Sequence, residues 1–156
     1  MRRADAVDTH TAAQLLHDFN CEFDEPAPAV PMLARRLGEL IDGGDTVVLL
    51  GGDGPDGVAV IRLRESIWSD GRECYLAELY VRPAHRGRGI GRALMEAVLA
   101  EARARGADRI EIGVDEPDLG ARRLYESLGF SNHVAGPDSP VMFVYELDLG
   151  ELGGGR

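Results

Sequence analysis

Lysine is absent from this sequence, because all seventeen basic residues among its 156 are arginine. This excludes enzymes that depend on a Walker lysine, a Schiff-base lysine or a lysine general base. Only two cysteines occur, Cys21 and Cys74, and neither has a companion cysteine or histidine at metal-ligand spacing. We therefore expect no disulfide, no metal and two reduced, semi-buried packing residues. A catalytic cysteine stays open as the alternative.

Long apolar runs are also absent. No uncharged run approaches the roughly 20 residues that cross a bilayer, and no apolar segment follows Arg2 and Arg3 as it would in a secretory signal. A composition of 44% hydrophobic and 28% charged residues is typical of one globular domain. We expect a soluble, cytoplasmic protein without a membrane partner, with a single domain over residues 1–149 and a flexible glycine-rich tail over residues 150–156.

Charge is distributed unevenly along the chain. The formal net charge is −10, and residues 1–60 carry eleven acidic residues against four arginines. Residues 82–92, by contrast, contain four arginines, His85 and no acid. This asymmetry indicates an anion site in that segment, while the acidic remainder would repel a nucleic-acid backbone and attract a cationic amine. We therefore expect no nucleic-acid partner.

Hydrophobic periodicity predicts an α/β fold. Helices are predicted over residues 9–19, 31–41, 89–105 and 119–128. Strands are predicted over residues 46–50, 58–64, 73–81, 109–114 and 141–147, after a short extended start at residues 2–4. Turn-rich segments between the first three long strands predict an antiparallel meander, and the strand-helix-strand order that follows predicts a parallel pair. The resulting sheet is mixed.

The segment that joins the third long strand to the third helix has the composition of a phosphate-binding loop. It reads Arg82-Pro83-Ala84-His85-Arg86-Gly87-Arg88-Gly89-Ile90-Gly91 and continues directly into the helix. Glycines let the backbone approach a ligand, and a helix start offers unpaired N–H groups and a dipole that favours negative charge. The structural alternative is a tight turn with solvated arginines.

A second glycine pattern, Gly52-Asp53-Gly54-Pro55-Asp56-Gly57, matches the dinucleotide-binding pattern G-x-G-x-x-G. A strand rather than a helix is predicted to follow it, and two aspartates would repel a pyrophosphate. We interpret this segment as a hairpin loop.

Two motifs resemble a known family. Leu79-Tyr80-Val81-Arg82-Pro83, followed by Arg86-Gly87-Arg88-Gly89-Ile90-Gly91-Arg92-Ala93-Leu94, is similar to the acyl-CoA signature Q/R-x-x-G-x-G/A of the GNAT superfamily of N-acetyltransferases. Residues 118–130, DLGARRLYESLGF, resemble the family segment N-x-x-A-x-x-L-Y-x-x-x-G-F, with Asp118 where asparagine is usual. The similarity is closest over residues 75–130. It implies a mixed sheet whose meander and parallel pair splay around a CoA site, with helices on both faces.

The resemblance also implies acetyl-CoA as co-substrate and direct attack of an amine on the acetyl carbonyl in a ternary complex. The cofactor-binding residues it implies are Leu79, Tyr80, Val81, Arg86, Gly87, Arg88, Gly89, Ile90, Gly91, Arg92, Asp118 and Tyr125. Tyr125 matches the family tyrosine that protonates or hydrogen-bonds the departing thiolate; the alternative is an aromatic that only packs. Glu78 is a general-base candidate, because strand alternation turns it away from the face of Ala77 and Leu79. A solvated strand carboxylate is equally consistent.

The acceptor is expected near the loop between the first two helices, predicted over residues 20–28. There Glu22, Asp24 and Glu25 lie beside Phe19 and Phe23, a combination suited to an ammonium-bearing substrate. A solvated acidic loop is the alternative. The hypothesis is acetyl transfer to the primary amine of a small, cationic acceptor. A peptide N-terminus as acceptor and a non-catalytic acyl-CoA-binding module remain alternatives, and the resemblance implies a homodimer.

Overall fold

The computed structural model describes residues 1–150, whose contacts form two compact units, Met1–Ile112 and a second one that begins at Gly113. The first unit carries a mixed sheet of strands β1 (Arg2–Arg3), β2 (Thr46–Gly51), β3 (Gly57–Glu65), β4 (Arg72–Val81) and β5 (Ala107–Ile112). The strands follow one another in chain order, antiparallel from β1 to β4 and parallel between β4 and β5. The predicted meander and parallel pair are therefore confirmed.

Four α-helices account for most of the remaining regular structure in the described residues. They are α1 (Thr9–Glu22), α2 (Val30–Asp42) and α3 (Ile90–Ala104) in the first unit, and α4 (Leu119–Ser127) in the second. Three of them follow the prediction within one residue. Helix α1 continues three residues past its predicted end at Phe19, because the turn that ends it begins only at Phe23. Glu22 is therefore helical rather than part of a loop.

The core lies on both faces of the sheet. Val48 and Leu50 of β2 pack in a cluster with buried residues of α1 and α2. Alternation along the strand turns Val47 and Leu49 to the other face, and α3 contacts the sheet from that side, since a Cβ added at Gly51 would lie 3.1 Å from Leu94 Cγ. The expected helices on both faces are confirmed within the first unit.

Strand β4 contains an irregularity that matters for the site. Val60 of β3 pairs with Glu78 of β4, whereas the next residue, Ile61, pairs with Leu76. Ala77 is thus an extra residue, a β-bulge that locally bends the strand. Pairing with β5 ends at Leu76, which lies opposite Ile112. Residues 77–81 of β4 therefore extend beyond the last residue that β5 contacts in the ladder.

The prediction of a strand over residues 141–147 is wrong. Val141 forms a single isolated bridge with His133, and no strand is assigned to residues 142–150. A strand needs a ladder partner, and alternation in the sequence does not supply one. In the described chain the large side chains here are exposed, including Phe143, Val144 and Tyr145.

The bounds of β5 differ from the prediction, and most of the predicted tail lies outside the described residues. Strand β5 begins and ends two residues earlier than the predicted span of 109–114, because Gly106 ends α3 and leaves no connecting segment before Ala107. Apart from Gly150, the predicted flexible tail lies outside the described residues. Within the described part of the chain, none of the helices has the length and apolar character that a membrane crossing requires.

Candidate active site

The loop between β4 and α3 has the geometry of an anion site. After a short 3-10 turn at Pro83–His85, Gly87 and Gly89 take positive φ values of 73° and 81°. These angles belong to the left-handed region that glycine adopts without strain. Gly89 is the N-cap of α3, and no side chain caps that end. The first N–H groups of a helix have no partner within it, so this end is prepared for an anion.

Arg86, the first residue of the glycine signature, has a guanidinium that is already engaged by the protein. Its Nε donates to the carbonyl of Val81 at 2.8 Å, and its Nη2 donates to Glu22 Oε2 at 2.8 Å. The guanidinium carbon also lies 5.7 Å from the centre of the Tyr80 ring. These contacts tie the end of β4, the loop and the end of α1 together.

The predicted hairpin loop between β2 and β3 supports the same segment. The carbonyl of Asp56 accepts a hydrogen bond from the Arg82 N–H at 2.9 Å, and its buried carboxylate lies 3.4 Å from His85 Nδ1. Strand β3 follows the loop directly. The interpretation of this glycine pattern as a hairpin loop is confirmed.

Glu78 is half-buried on the face of the sheet that α1 and α2 cover. It pairs with Val60, a member of the cluster on that face, and paired residues share a face. The bulge also brings Ala77 against this cluster, so the expected separation of Glu78 from Ala77 by simple alternation is wrong. Burial raises the pKa of Glu78, which is the direction that strengthens a carboxylate as a base.

Tyr125 lies in the second unit, in the last turn of α4. Its carbonyl accepts from the Phe130 N–H at 3.1 Å, Gly129 N–H donates to the carbonyl of Glu126 at 3.0 Å, and Gly129 has a φ of 94°. This is a Schellman ending, in which the residue after the glycine packs against the last turn; the Tyr125 and Phe130 rings are 6.0 Å apart. Burial, followed by the charge of Asp118, raises the pKa of Tyr125 to about 12.

Asp118 acts as the N-cap of α4. Its Oδ1 accepts a hydrogen bond from the Ala121 N–H at 3.0 Å. Aspartate and asparagine are both favoured caps, because each offers a side-chain oxygen to the unpaired N–H groups of the first turn. The departure from the family's asparagine therefore preserves this local function.

The three acidic residues expected at the acceptor site have different surroundings. Glu22 is in α1 and binds Arg86, whose proximity lowers the pKa of the Glu22 carboxyl. Asp24 and Glu25 are exposed beyond the end of the helix, and Asp24 has a φ of 55°. Their role at an acceptor site stays a prediction.

Sequence reasoning missed the second link between α1 and the anion loop. Asp18 Oδ2 lies 3.4 Å from Arg82 Nη2, one helical turn before Glu22. Phe19, between them in sequence, stacks on Tyr80 with ring centres 5.0 Å apart and planes at 16°. Asp18 and Glu22 are four residues apart and share a helix face, a signal that the predicted helix end at Phe19 concealed.

The two cysteines are free and lie in different environments. Cys74 is buried, and burial raises its pKa to about 11. Cys21 is exposed, with Sγ 3.8 Å from His17 Nε2, so the expectation that it is semi-buried is wrong because its side chain projects from the end of α1. In residues 1–150 no group of three or more histidine, cysteine, aspartate or glutamate side chains is arranged to hold a metal ion.

The chain is similar in sequence to known acetyltransferases. The model of the Acetyltransferase (GNAT) family matches residues 12–130. Mycothiol acetyltransferase of Thermobispora bispora is 37% identical over 134 residues, which cover 83% of this chain and 40% of that protein. The L-methionine sulfoximine/L-methionine sulfone acetyltransferase of Salmonella typhimurium is 38% identical over 71 residues, covering 46% of this chain and 42% of that protein. The chain thus spans less than half the length of these curated relatives.

A solved structure extends the similarity to nearly the whole chain. A crystal structure of an Arthrobacter sp. FB24 protein, provisionally described as an acetyltransferase, matches with a TM-score of 0.85 and 45% sequence identity. The match covers 94% of each chain. The mixed-sheet architecture is therefore shared with a protein whose structure was determined by crystallography.

Proposed function

Because the chain belongs to the GNAT acetyltransferase family, we propose that it transfers the acetyl group of acetyl-CoA to the primary amine of a small, cationic acceptor. Attack takes place directly in a ternary complex, without an acyl-enzyme. The observation that carries the proposal is the end of β4, which runs past its last β5 partner and leads into an uncapped helix start through two left-handed glycines.

Acetyl-CoA binding is assigned to this strand end and loop. Backbone groups of residues 79–81 extend beyond the β5 ladder, and in the proposal they pair with the amides of the pantetheine arm. The N–H groups at the start of α3 bind the pyrophosphate, and the exposed Arg88 adds formal positive charge. A backbone N–H near Leu79 stabilises the oxyanion of the tetrahedral intermediate.

Glu78 is assigned as the general base, directly or through one water. The attacking amine must lose a proton, and a base is most effective when its pKa lies near the working pH. Burial shifts the pKa of Glu78 upward from the ordinary glutamate range. The carboxylate also lies on β4, the strand that the proposal places along the pantetheine arm.

Tyr125 is assigned as the hydrogen-bond donor to the departing thiolate. Its pKa of about 12 exceeds the value of about 8.5 for an ordinary thiol, so complete proton transfer from the phenol to sulfur is unfavourable. A phenol that stays protonated can nevertheless donate a strong hydrogen bond to a developing thiolate. The expected contribution is therefore transition-state stabilisation rather than release of a free proton.

A small acceptor is favoured by the names of two curated relatives, which mention mycothiol and methionine sulfoximine or sulfone. A cationic acceptor is favoured by the charge of the chain, which has a formal net charge of −10. Exposed Asp24 and Glu25, beyond the end of α1, are the side chains we assign to its recognition.

The test is thiol release from acetyl-CoA across a panel of cationic amines, neutral amino acids and peptide N-termini. We expect turnover with a cationic small amine. Tyr125→Phe should lower kcat about tenfold to a hundredfold, the value of one hydrogen bond to a charged group, while acetyl-CoA affinity is kept. Tyr145→Phe, at an exposed tyrosine, is the matched control. Binding of acetyl-CoA without release for any amine would instead identify a non-catalytic module, and turnover of peptides alone would exclude the small acceptor.

A further inference from the structure

Glu22 accepts a hydrogen bond from the proposed acetyl-CoA site. Its Oε2 lies 2.8 Å from the donor, Arg86 Nη2. Arg86 belongs to the loop that follows β4, whereas Glu22 is the last residue of α1. The carboxylate thus joins the end of α1 to the loop.

Arg86, the partner of Glu22, is itself fixed in place. Its guanidinium is held from the other side by the carbonyl of Val81 at 2.8 Å. The guanidinium carbon also lies 5.7 Å from the centre of the Tyr80 ring, which is buried and stacks on Phe19. The Asp18–Arg82 contact of 3.4 Å attaches the preceding turn of α1 to the start of the same loop. The guanidinium therefore spans a defined gap between Val81 and Glu22.

The position of Glu22 is unfavourable for the helix that carries it. A carboxylate in the last turn faces the negative end of the helix dipole, and the charge-assisted hydrogen bond from Arg86 compensates for this. Glu22 is thus placed for its contacts with the loop and not for the stability of α1.

We infer that Glu22 is a positioning residue for the acetyl-CoA loop, acting through Arg86, and is not an acceptor-binding carboxylate. This inference rests on the proposed function. By holding Arg86 against the Val81 carbonyl, Glu22 orders the backbone between the end of β4 and Gly87, and so pre-arranges the N–H groups that follow for the pyrophosphate. Pre-arranged donors bind more tightly because their ordering entropy is not lost on binding.

Two effects of removing Glu22 oppose each other, which makes the prediction specific. Loss of a negative charge near an anion site strengthens phosphate binding, although salt screens this effect. Loss of the hydrogen bond from Arg86 loosens the loop and weakens binding. Glu22→Gln removes the charge and keeps an acceptor oxygen, whereas Glu22→Ala removes both.

The experiment measures the dissociation constant of acetyl-CoA by calorimetry for wild type, Glu22→Gln, Glu22→Ala and Asp42→Ala. Asp42 is an exposed acid that ends α2 as Glu22 ends α1, so its removal reports the general effect of charge. We expect Glu22→Ala to bind about tenfold more weakly than wild type, Glu22→Gln to fall between them, and Asp42→Ala to match wild type. Melting temperatures should confirm that each variant folds.

Steady-state kinetics with an amine that the enzyme acetylates distinguish a positioning role of Glu22 from a role in binding the acceptor. The inference requires the KM for acetyl-CoA to rise in Glu22→Ala while the KM for the amine stays within about twofold, a difference too small to indicate a lost charge-assisted contact. A selective rise in the amine KM would return Glu22 to the acceptor site, and tighter acetyl-CoA binding in both Glu22 variants would show that only its charge matters. Either result overturns the inference. Failure of wild type to bind acetyl-CoA would instead refute the proposed function.

Discussion

Replacement of Gly89 by alanine tests whether the β4–α3 loop holds the pyrophosphate. Gly89 has a φ of 81° at the N-cap of α3, and a Cβ added there would meet no protein atom within 4 Å. The methyl group would therefore not collide with the protein. The proposal places a phosphate in front of the helix N–H groups, and we expect the added methyl group to intrude on that space.

The structure supplies a matched control at the other end of the same helix. Gly106 has a φ of 79°, and its added Cβ likewise meets nothing within 4 Å. A left-handed conformation costs a residue other than glycine roughly 1–2 kcal/mol, so both substitutions should lower the stability similarly. For a chain of this size that corresponds to a fall in Tm of about 2–8 °C. Because α3 has 15 residues, the two ends are separated by roughly 22 Å.

Binding should distinguish the two variants. Gly89→Ala is expected to lose at least one hydrogen bond to a charged phosphate, worth about 1.5–3 kcal/mol, or roughly a tenfold to hundredfold weaker acetyl-CoA complex. Gly106→Ala should retain the wild-type affinity. Calorimetry gives the dissociation constants, and thermal unfolding without ligand gives the stabilities.

Equal acetyl-CoA affinities in folded Gly89→Ala and Gly106→Ala would refute this reasoning. If folded Gly89→Val, whose side chain is larger, also bound acetyl-CoA as tightly as Gly106→Ala, the loop would not be part of the binding site. If both variants lost affinity equally, strain in α3 rather than contact with the ligand would be the cause.

Three other predictions concern single side chains. Asp118→Ala should lower stability by about 1 kcal/mol through loss of the N-cap, whereas Asp118→Asn should leave Tm and acetyl-CoA affinity unchanged; weaker binding in the asparagine variant would reveal a cofactor contact. Because burial raises the pKa of Glu78, kcat/KM should rise with pH through a limb above the ordinary glutamate value of about 4.3; persistence of that limb in Glu78→Gln would assign it to another group. A thiol reagent should label exposed Cys21 in the native protein and buried Cys74 only after unfolding, as mass spectrometry can show, and rapid labelling of both would contradict the burial of Cys74.

The candidate site was predictable where its chemistry is local. Glycines and arginines concentrated in residues 82–92 predict the proposed anion loop without any tertiary information, because a helix start and its unpaired N–H groups follow from the chain itself. The end of α4 at Gly129 is local in the same way. The N-cap contact of Asp118 with the Ala121 N–H was not predicted, and the predicted contact of Asp118 with the cofactor stays a prediction.

By itself the sequence determined the family, the order of the long strands and helices up to α4, and the place of the proposed anion loop, since periodicity and turn residues act over a few positions. The tertiary structure alone decided which residues meet across the chain. Glu22 and Arg86 are 64 positions apart, and the bulge at Ala77 exists only as a mismatch with β3. Residues 141–147 also show this dependence on tertiary contacts. Their alternation favours a strand, but a strand forms only when another strand pairs with it.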